Sequence, residues 1–503
     1  MRTKLAFKNT LVSLVLQIVT AISGLIVPRF FTAEYGSAVN GLVSSVSQFI
    51  VYMGLVEAGI SAAGTVQLYK PLLEKKYDDI NSIISGAKVF YRRSGMIFVT
   101  LALLLILIYP IIVKNEIADT SFIRMMIFVL SINGIVDYFI LGKYRVLLIA
   151  DQRNYIISFI QIIGVLVTMT VSIFLIKIEA SPIIVKSTAA IVYLLRTVFI
   201  VLYVRRYYPY LDLKVPPRKD AFTQKSNALI HQIVGMIVNN TDIVLLTLLL
   251  KVNALVEVSV YSIYNLVAYA LTSLFESISV GLRASFGQVI SEGNKETLRR
   301  TFSQFEYLYF MILFVVYTCM AILLYSFIGL YSRDFNDADS YTRWSLVVLF
   351  TFCGFIQNLR VPGSTIQVAA GHFKETQGAA ILEAVINLGV SLVLIFNFGI
   401  AGVLFGTSCS YLYRTSYVIW YNDKHFNPGT LGRTLFRLVR SATISIGLVL
   451  IFTGVATSYI DSWLSWFTFS ILVFAVSAIS IVTINIIFEP AEFKKILLRM
   501  KER

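Results

Sequence analysis

The sequence predicts an all-α integral membrane protein with about fourteen transmembrane helices: two parallel six-helix lobes, two extra C-terminal helices, and both termini in the cytoplasm. Three observations predict it. Hydrophobic residues make up 57% of the 503 and charged residues only 14%, with a mean hydropathy of +0.77, where a soluble domain carries about 25% charged residues. The pattern Tyr193-Leu194-Leu195-Arg196-Thr197 returns as Tyr411-Leu412-Tyr413-Arg414-Thr415, 218 positions later, each copy holding an arginine inside a stretch apolar enough to cross a bilayer. The basic residues, finally, fall almost entirely on one side of the resulting topology.

Apolar runs of the ~20 residues that span a bilayer are drawn at 9–31, 39–64, 94–113, 122–142, 155–176, 182–204, 227–250, 258–287, 304–329, 344–368, 377–398, 400–421, 441–458 and 464–488. The first is long, lacks a small-residue cleavage pattern and is followed by many others, so it reads as a span and not as a signal peptide. With the N-terminus inside, most of the 43 Lys and Arg lie in cytoplasmic segments and only a handful in outer loops, which fixes the orientation. The net charge of +15 is therefore a topology signal and an attraction to anionic lipid, and no nucleic-acid partner is implied. Trp344, Trp463 and Trp466 fall at outer ends and Trp420 at an inner end, as an interfacial belt requires.

The repeat extends beyond the arginine motif. Leu55-Val56-Glu57-Ala58 matches Leu274-Phe275-Glu276-Ser277, and the turn at Ala150-Asp151-Gln152-Arg153 matches Ala370-Gly371-His372-Phe373 by position. The chain thus divides into a first lobe at 1–217, a second at 218–437, and an unpaired pair of helices with a basic tail at 438–503. Because six spans return the chain to its starting side, the halves are parallel and enclose a cavity between them. Residues 72–93 carry Leu73, Tyr77, Ile80, Ile84 and Tyr91 near one helical face, and the tail at 492–503 carries Phe493, Ile496, Leu497 and Met500; both read as helices lying on the inner membrane surface.

Several chemistries are excluded. Cys319, Cys353 and Cys409 have no CxxC spacing and His231, His372 and His425 form no ligand cluster, so neither a disulfide framework nor a metal site is expected. Gly142-Lys143 lacks the glycine frame of a phosphate-binding loop, so the chain is not expected to hydrolyse ATP. The longest outer loop covers 331–343, too short for an external catalytic domain.

The intramembrane charges carry the functional information, since each costs about 3 kcal/mol or more at bilayer depth. Arg196, Arg360 and Arg414 lie near mid-membrane, with Arg29 near the outer interface and Arg283 near the inner one. These are the candidate residues for an anionic headgroup, because a guanidinium holds phosphate oxygens through paired donors and stays charged. Arg360 precedes Val361-Pro362-Gly363, where a bend is expected. Asp242, Glu57, Glu276 and Asp137 are the candidates for ion coupling, by Na⁺ or H⁺. Each has a plainer reading: Arg196 and Arg414 pair with Asp137 or Glu383 to lock helices, Glu57 and Glu276 bond a neighbouring helix as protonated acids, and Asp242 caps a break where Asn239-Asn240-Thr241 weakens its helix.

Asn240-Thr241-Asp242-Ile243-Val244-Leu245 with Val260-Tyr261-Ser262-Ile263-Tyr264-Asn265, and Gly371-His372-Phe373-Lys374 with the Ile381–Asn387 and Gly399–Thr407 segments, resemble the Wzx-type flippases for O-antigen, capsule and exopolysaccharide in the MOP exporter superfamily. The resemblance covers essentially the whole chain in span number, topology and halves. It implies a multi-pass protein of the bacterial cytoplasmic membrane that moves undecaprenyl-diphosphate-linked oligosaccharide to the outer leaflet by alternating access, without covalent chemistry and without a cofactor. Its implied partners are the lipid-linked substrate, membrane lipids, and the glycosyltransferases and polymerase of the same pathway. A multidrug or cation antiporter and a lipid II flippase of the same fold stay open, as does, from another class, a membrane polysaccharide polymerase or glycosyl-phosphate transferase.

Overall fold

The computed structural model describes residues 2–57, 59–113, 115–218 and 227–501. Among them the regular structure is helical throughout, and thirteen helices are long and apolar enough to cross a membrane. The chain divides into two compact units, Met1–Leu266 and Val267–Arg503.

The first unit holds α1 (Arg2–Tyr35), α2 (Ser37–Met53), α3 (Ile60–Glu74), α4 (Tyr77–Ile112), α5 (Thr120–Val136), α6 (Gly142–Ala150), α7 (Asn154–Lys177), α8 (Pro182–Tyr207) and α9 (Asn227–Leu249). The boundary falls inside α10 (Ala254–Ser291). The second unit continues with α11 (Lys295–Ser332), α12 (Trp344–Leu359), α13 (Val361–Ala369), α14 (Phe373–His425), α15 (Leu431–Tyr459), α16 (Trp463–Phe488) and α17 (Pro490–Lys501). Side chains cap the starts of α5, α11 and α16. Asp119 accepts from the backbone N–H of Ser121 and Phe122 at 2.9 and 3.0 Å, Asn294 accepts from that of Thr297 at 2.9 Å, and Ser462 and Ser465 form a capping box. Large apolar side chains such as Leu450 and Ile471 stand more than two-thirds exposed on α15 and α16, as lipid-facing positions do.

Four expectations change. The expected spans at 377–398 and 400–421 form one helical run, α14, divided at Gly399, whose φ of 53° and ψ of −126° interrupt the helix, so this run accounts for two of the fourteen. The second span does not run to residue 64: it tightens into a 3₁₀ turn at Gly54–Glu57, and Gly59 follows at φ 84° before α3 begins, with Ala58 between them outside the described residues. Residues 77–93 are no surface helix. They are the first turns of α4, and Ile80, Ile84 and Tyr91 are buried against Val204, Tyr208 and the strap that follows α8. Asn81 donates to the Tyr210 carbonyl at 3.0 Å and Ser85 to that of Val215 at 2.8 Å, so this chain covers its own apolar face. The thirteenth span begins at Leu431 and not at 441, which brings Arg433, Arg437 and Arg440 into α15. The C-terminal segment forms α17, though Glu502 and Arg503 lie outside the described residues, as do the side chains of Ile496, Leu497 and Met500.

Candidate functional site: two charged clusters at helix breaks

In the second unit the bend expected at Arg360 is present. Pro362 has no N–H, so the Asn358 carbonyl loses its helical partner; the Tyr309 hydroxyl donates to it at 3.0 Å. The Asn358 amide in turn donates to the Tyr317 hydroxyl at 2.8 Å and to the Gly354 carbonyl at 2.9 Å, fixing the bend. Gly363 allows α13 to lie close on α14, because a Cβ there would fall 2.3 Å from the Asn422 amide. Arg360 occupies the junction of α12 and α13 and bonds Glu383 on α14. Arg414, farther along α14, places its Nε 3.6 Å from the other Glu383 oxygen and donates to the Thr376 carbonyl at 3.3 Å. The two guanidiniums lie over Tyr411 and Tyr417, at 5.2 and 5.6 Å from the ring centroids. One buried carboxylate thus faces two arginines, leaving a surplus positive charge in a mostly water-excluded place.

The first unit builds its cluster on two irregularities. At the end of α2, Ser94 donates to the Val56 carbonyl at 3.2 Å and Tyr138 to that of Gly54 at 3.4 Å, taking up carbonyls that the break frees. Glu57 accepts from the Tyr91 hydroxyl at 2.6 Å and lines an open cavity with Thr65, Tyr69, Gln232 and Met236. Between α5 and α6 the helix widens into a π-turn at Asp137–Leu141, a feature common at functional sites. Lys143 donates to its Phe139 and Ile140 carbonyls at 3.2 and 3.0 Å. Asp137 pairs with Arg145 and accepts from Tyr193 at 3.2 Å. Arg196 lies over the Tyr193 ring at 5.0 Å and against Gly164, where a Cβ would fall 2.4 Å from its Cδ. No carboxylate pairs with Arg196 among the described residues, and its Nε is buried without an acceptor.

The plainer reading of Asp242 changes. α9 is unbroken across Asn239, Asn240 and Thr241, whose side chains donate to carbonyls one turn earlier, at 2.8, 2.9 and 2.5 Å. Asp242 is buried and accepts from Tyr261 at 2.8 Å. It belongs to a polar seam in which Asn40 meets Ser259 and Ser45 meets Thr247, both at 2.7 Å, and Tyr52 meets Thr241. The remaining candidates are apart from these clusters. Glu276 is exposed on an uninterrupted α10, unlike its repeat counterpart Glu57. Arg283 is half-buried on the same helix with its Nε lacking an acceptor among the described residues, and Arg29 is half-buried after Pro28.

Sequence reasoning missed Arg145, since the fourth span was ended at 142 and the π-turn that carries its side chain back to Asp137 has no sequence signature. It also missed the most buried ion cluster among the described residues. Arg437 bonds Glu306 at 2.9 Å and Glu489, and Arg440 bonds Asn485 and, at 3.1 Å, Glu489. The bonded members of this cluster tie α15 and the end of α16 to α11, and a third arginine, Arg433, stands beside Glu306. Burial pushes the Glu489 carboxyl up, but the Arg437 hydrogen bond and the two arginine charges outweigh it and hold the group below its ordinary value.

No protein-family model matches the sequence, and no curated protein matches it. Solved structures do. One is the inward-facing conformation of a multidrug resistance MATE family transporter of the MOP superfamily, with a TM-score of 0.56 at 13% identity, over 84% of this chain and 99% of that one. Another is the lipid II flippase MurJ in an inward closed conformation, with a TM-score of 0.67 at 14% identity, over 95% of this chain and 99% of that one. Likeness at this identity establishes the fold: the chain is a multi-pass helical membrane protein built on the plan that these transporters share.

Proposed function

We propose that the chain is a flippase that carries undecaprenyl-diphosphate-linked oligosaccharide across the cytoplasmic membrane of a bacterium by alternating access, as a secondary transporter without covalent chemistry. The observation that carries this reading is the surplus positive charge at Arg360 and Arg414 around a single buried Glu383. A diphosphate supplies the missing negative charge and can engage both guanidiniums through paired donors. Arg196 offers a third cation, one with no carboxylate partner among the described residues. The fold that the chain shares with a lipid II flippase over 95% of its length is compatible with this reading. The second reading, a multidrug or cation antiporter, is supported by Glu57 at a helix break facing an open cavity and by the buried Asp242. In it, Glu57 and Asp242 bind H⁺ or Na⁺.

Depleting the protein from its native cells tests the choice. The flippase reading expects lipid-linked oligosaccharide to accumulate in the inner leaflet while surface polysaccharide falls. Normal surface polysaccharide together with raised sensitivity to cationic drugs would replace it with the antiporter.

A further inference from the structure

The half of α14 that follows Gly399 carries aromatic rings at helical spacing: Tyr413, Tyr417, Tyr421 and His425, with Trp420 beside them. The rings contact one another in series. Tyr413 and Tyr417 have centroids 6.5 Å apart, Tyr417 and Tyr421 stack at 5.8 Å, Tyr421 and His425 stack at 4.1 Å, and Trp420 lies 5.7 Å from Tyr417. Tyr421 is buried and fixed by His372, whose Nδ1 lies 2.9 Å from its hydroxyl, so it braces the series. Tyr413 and Tyr417 are half-buried, and Trp420 is 47% exposed.

We propose that this ladder is a carbohydrate track, on which the sugar rings of a lipid-linked substrate stack while the Arg360–Arg414 pair holds its diphosphate; the proposal rests on the flippase reading above. Three features carry it. First, the ladder runs three turns, ~18 Å along the helix axis, whereas an interfacial aromatic belt occupies one depth. Second, it begins next to the cations, since Arg414 lies over Tyr417. A headgroup anchored there extends its sugars along the rings. Third, the two halves of the repeat differ at the ladder's more exposed positions, although Tyr203 and Tyr207 stand where Tyr421 and His425 do. Where the second half has Tyr413, Tyr417 and Trp420, the first has Leu195, Phe199 and Leu202, all more than half exposed on α8. Lipid contact is satisfied by leucine. Replacing it with rings that carry a hydroxyl or an indole N–H serves a surface that meets both polar and C–H groups. A pyranose presents that mixture: its axial C–H bonds sit against the negative face of a ring, and its hydroxyls reach the polar edge.

The test uses the full-length protein in lipid nanodiscs and two probes, undecaprenyl diphosphate and undecaprenyl-diphospho-N-acetylglucosamine. Wild type is expected to bind the sugar-bearing lipid more tightly. Tyr413→Leu with Trp420→Leu, which installs the first half's own residues, should weaken the sugar-bearing lipid roughly tenfold and leave the sugar-free lipid unchanged. Tyr413→Phe with Trp420→Phe keeps the rings without their polar edges and should lose only part of that preference. Equal wild-type affinities for the two lipids, or a leucine variant that weakens both equally, overturns the track while leaving the flippase reading intact. Failure of wild type to bind either lipid overturns both.

Discussion

Arg360 has two tasks in this reading, locking α14 through Glu383 and reading a diphosphate, and a pair of substitutions separates them. In Arg360→Gln, Glu383 keeps only Arg414, 3.6 Å from one of its oxygens, although its side chain is 7% exposed. Leaving a buried charge partly uncompensated costs about 3 kcal/mol, so this variant should melt at a lower temperature in detergent. Adding Glu383→Gln removes that carboxylate but leaves Arg414, 11% exposed, without its partner, so the double variant should recover only part of the loss. Export should not return. Losing a bidentate guanidinium–phosphate contact removes about 3 kcal/mol of charge-assisted hydrogen bonding, roughly a hundredfold in affinity. The assay pairs melting temperature with surface polysaccharide and inner-leaflet intermediates at matched protein level. A double variant that is stable and exports at the wild-type rate refutes a substrate role for Arg360 and makes the pair a helix lock only.

Other consequences are more local. Gly41 on α2 lies so close to α10 that a Cβ would fall 1.8 Å from the Leu255 carbonyl oxygen, so Gly41→Leu should force the helices apart at a cost of about 3 kcal/mol or more, read as lowered yield and melting temperature. Asp242→Asn keeps an oxygen for the Tyr261 hydroxyl and should change stability by no more than about 1 kcal/mol, while transport driven by an imposed Na⁺ or H⁺ gradient falls; unchanged gradient dependence removes Asp242 from the coupling. Glu489, held below its ordinary pKa by Arg437 and Arg440, contributes stability that is present above the ordinary carboxylate range and lost as pH falls through its lowered value. Glu489→Gln should therefore lower the melting temperature near neutrality and flatten its dependence in acid.

The sequence by itself determined the fold class and the span number, and it carries the expected orientation and repeat. These rest on composition, on apolar run length and on charge asymmetry, which act through the bilayer and require no knowledge of neighbours. It also placed Arg360 beside a bend, because Pro362 forbids a helical bond wherever it sits. Tertiary structure decided what the charges meet. Glu57 and Glu276 share a repeat position, yet one accepts from Tyr91 at a broken helix end and the other stands exposed on a continuous one. Arg196 and Arg414 share a motif, yet Arg414 faces Glu383 and Arg196 packs on Gly164. Neither difference can be read along one helix, since it depends on which side chain a second helix presents at the same depth. Residues 77–93 show the same limit: their apolar face fits a membrane surface equally well, and only the return of the 208–218 strap, through its hydrogen bonds to Asn81 and Ser85, buries it inside the protein.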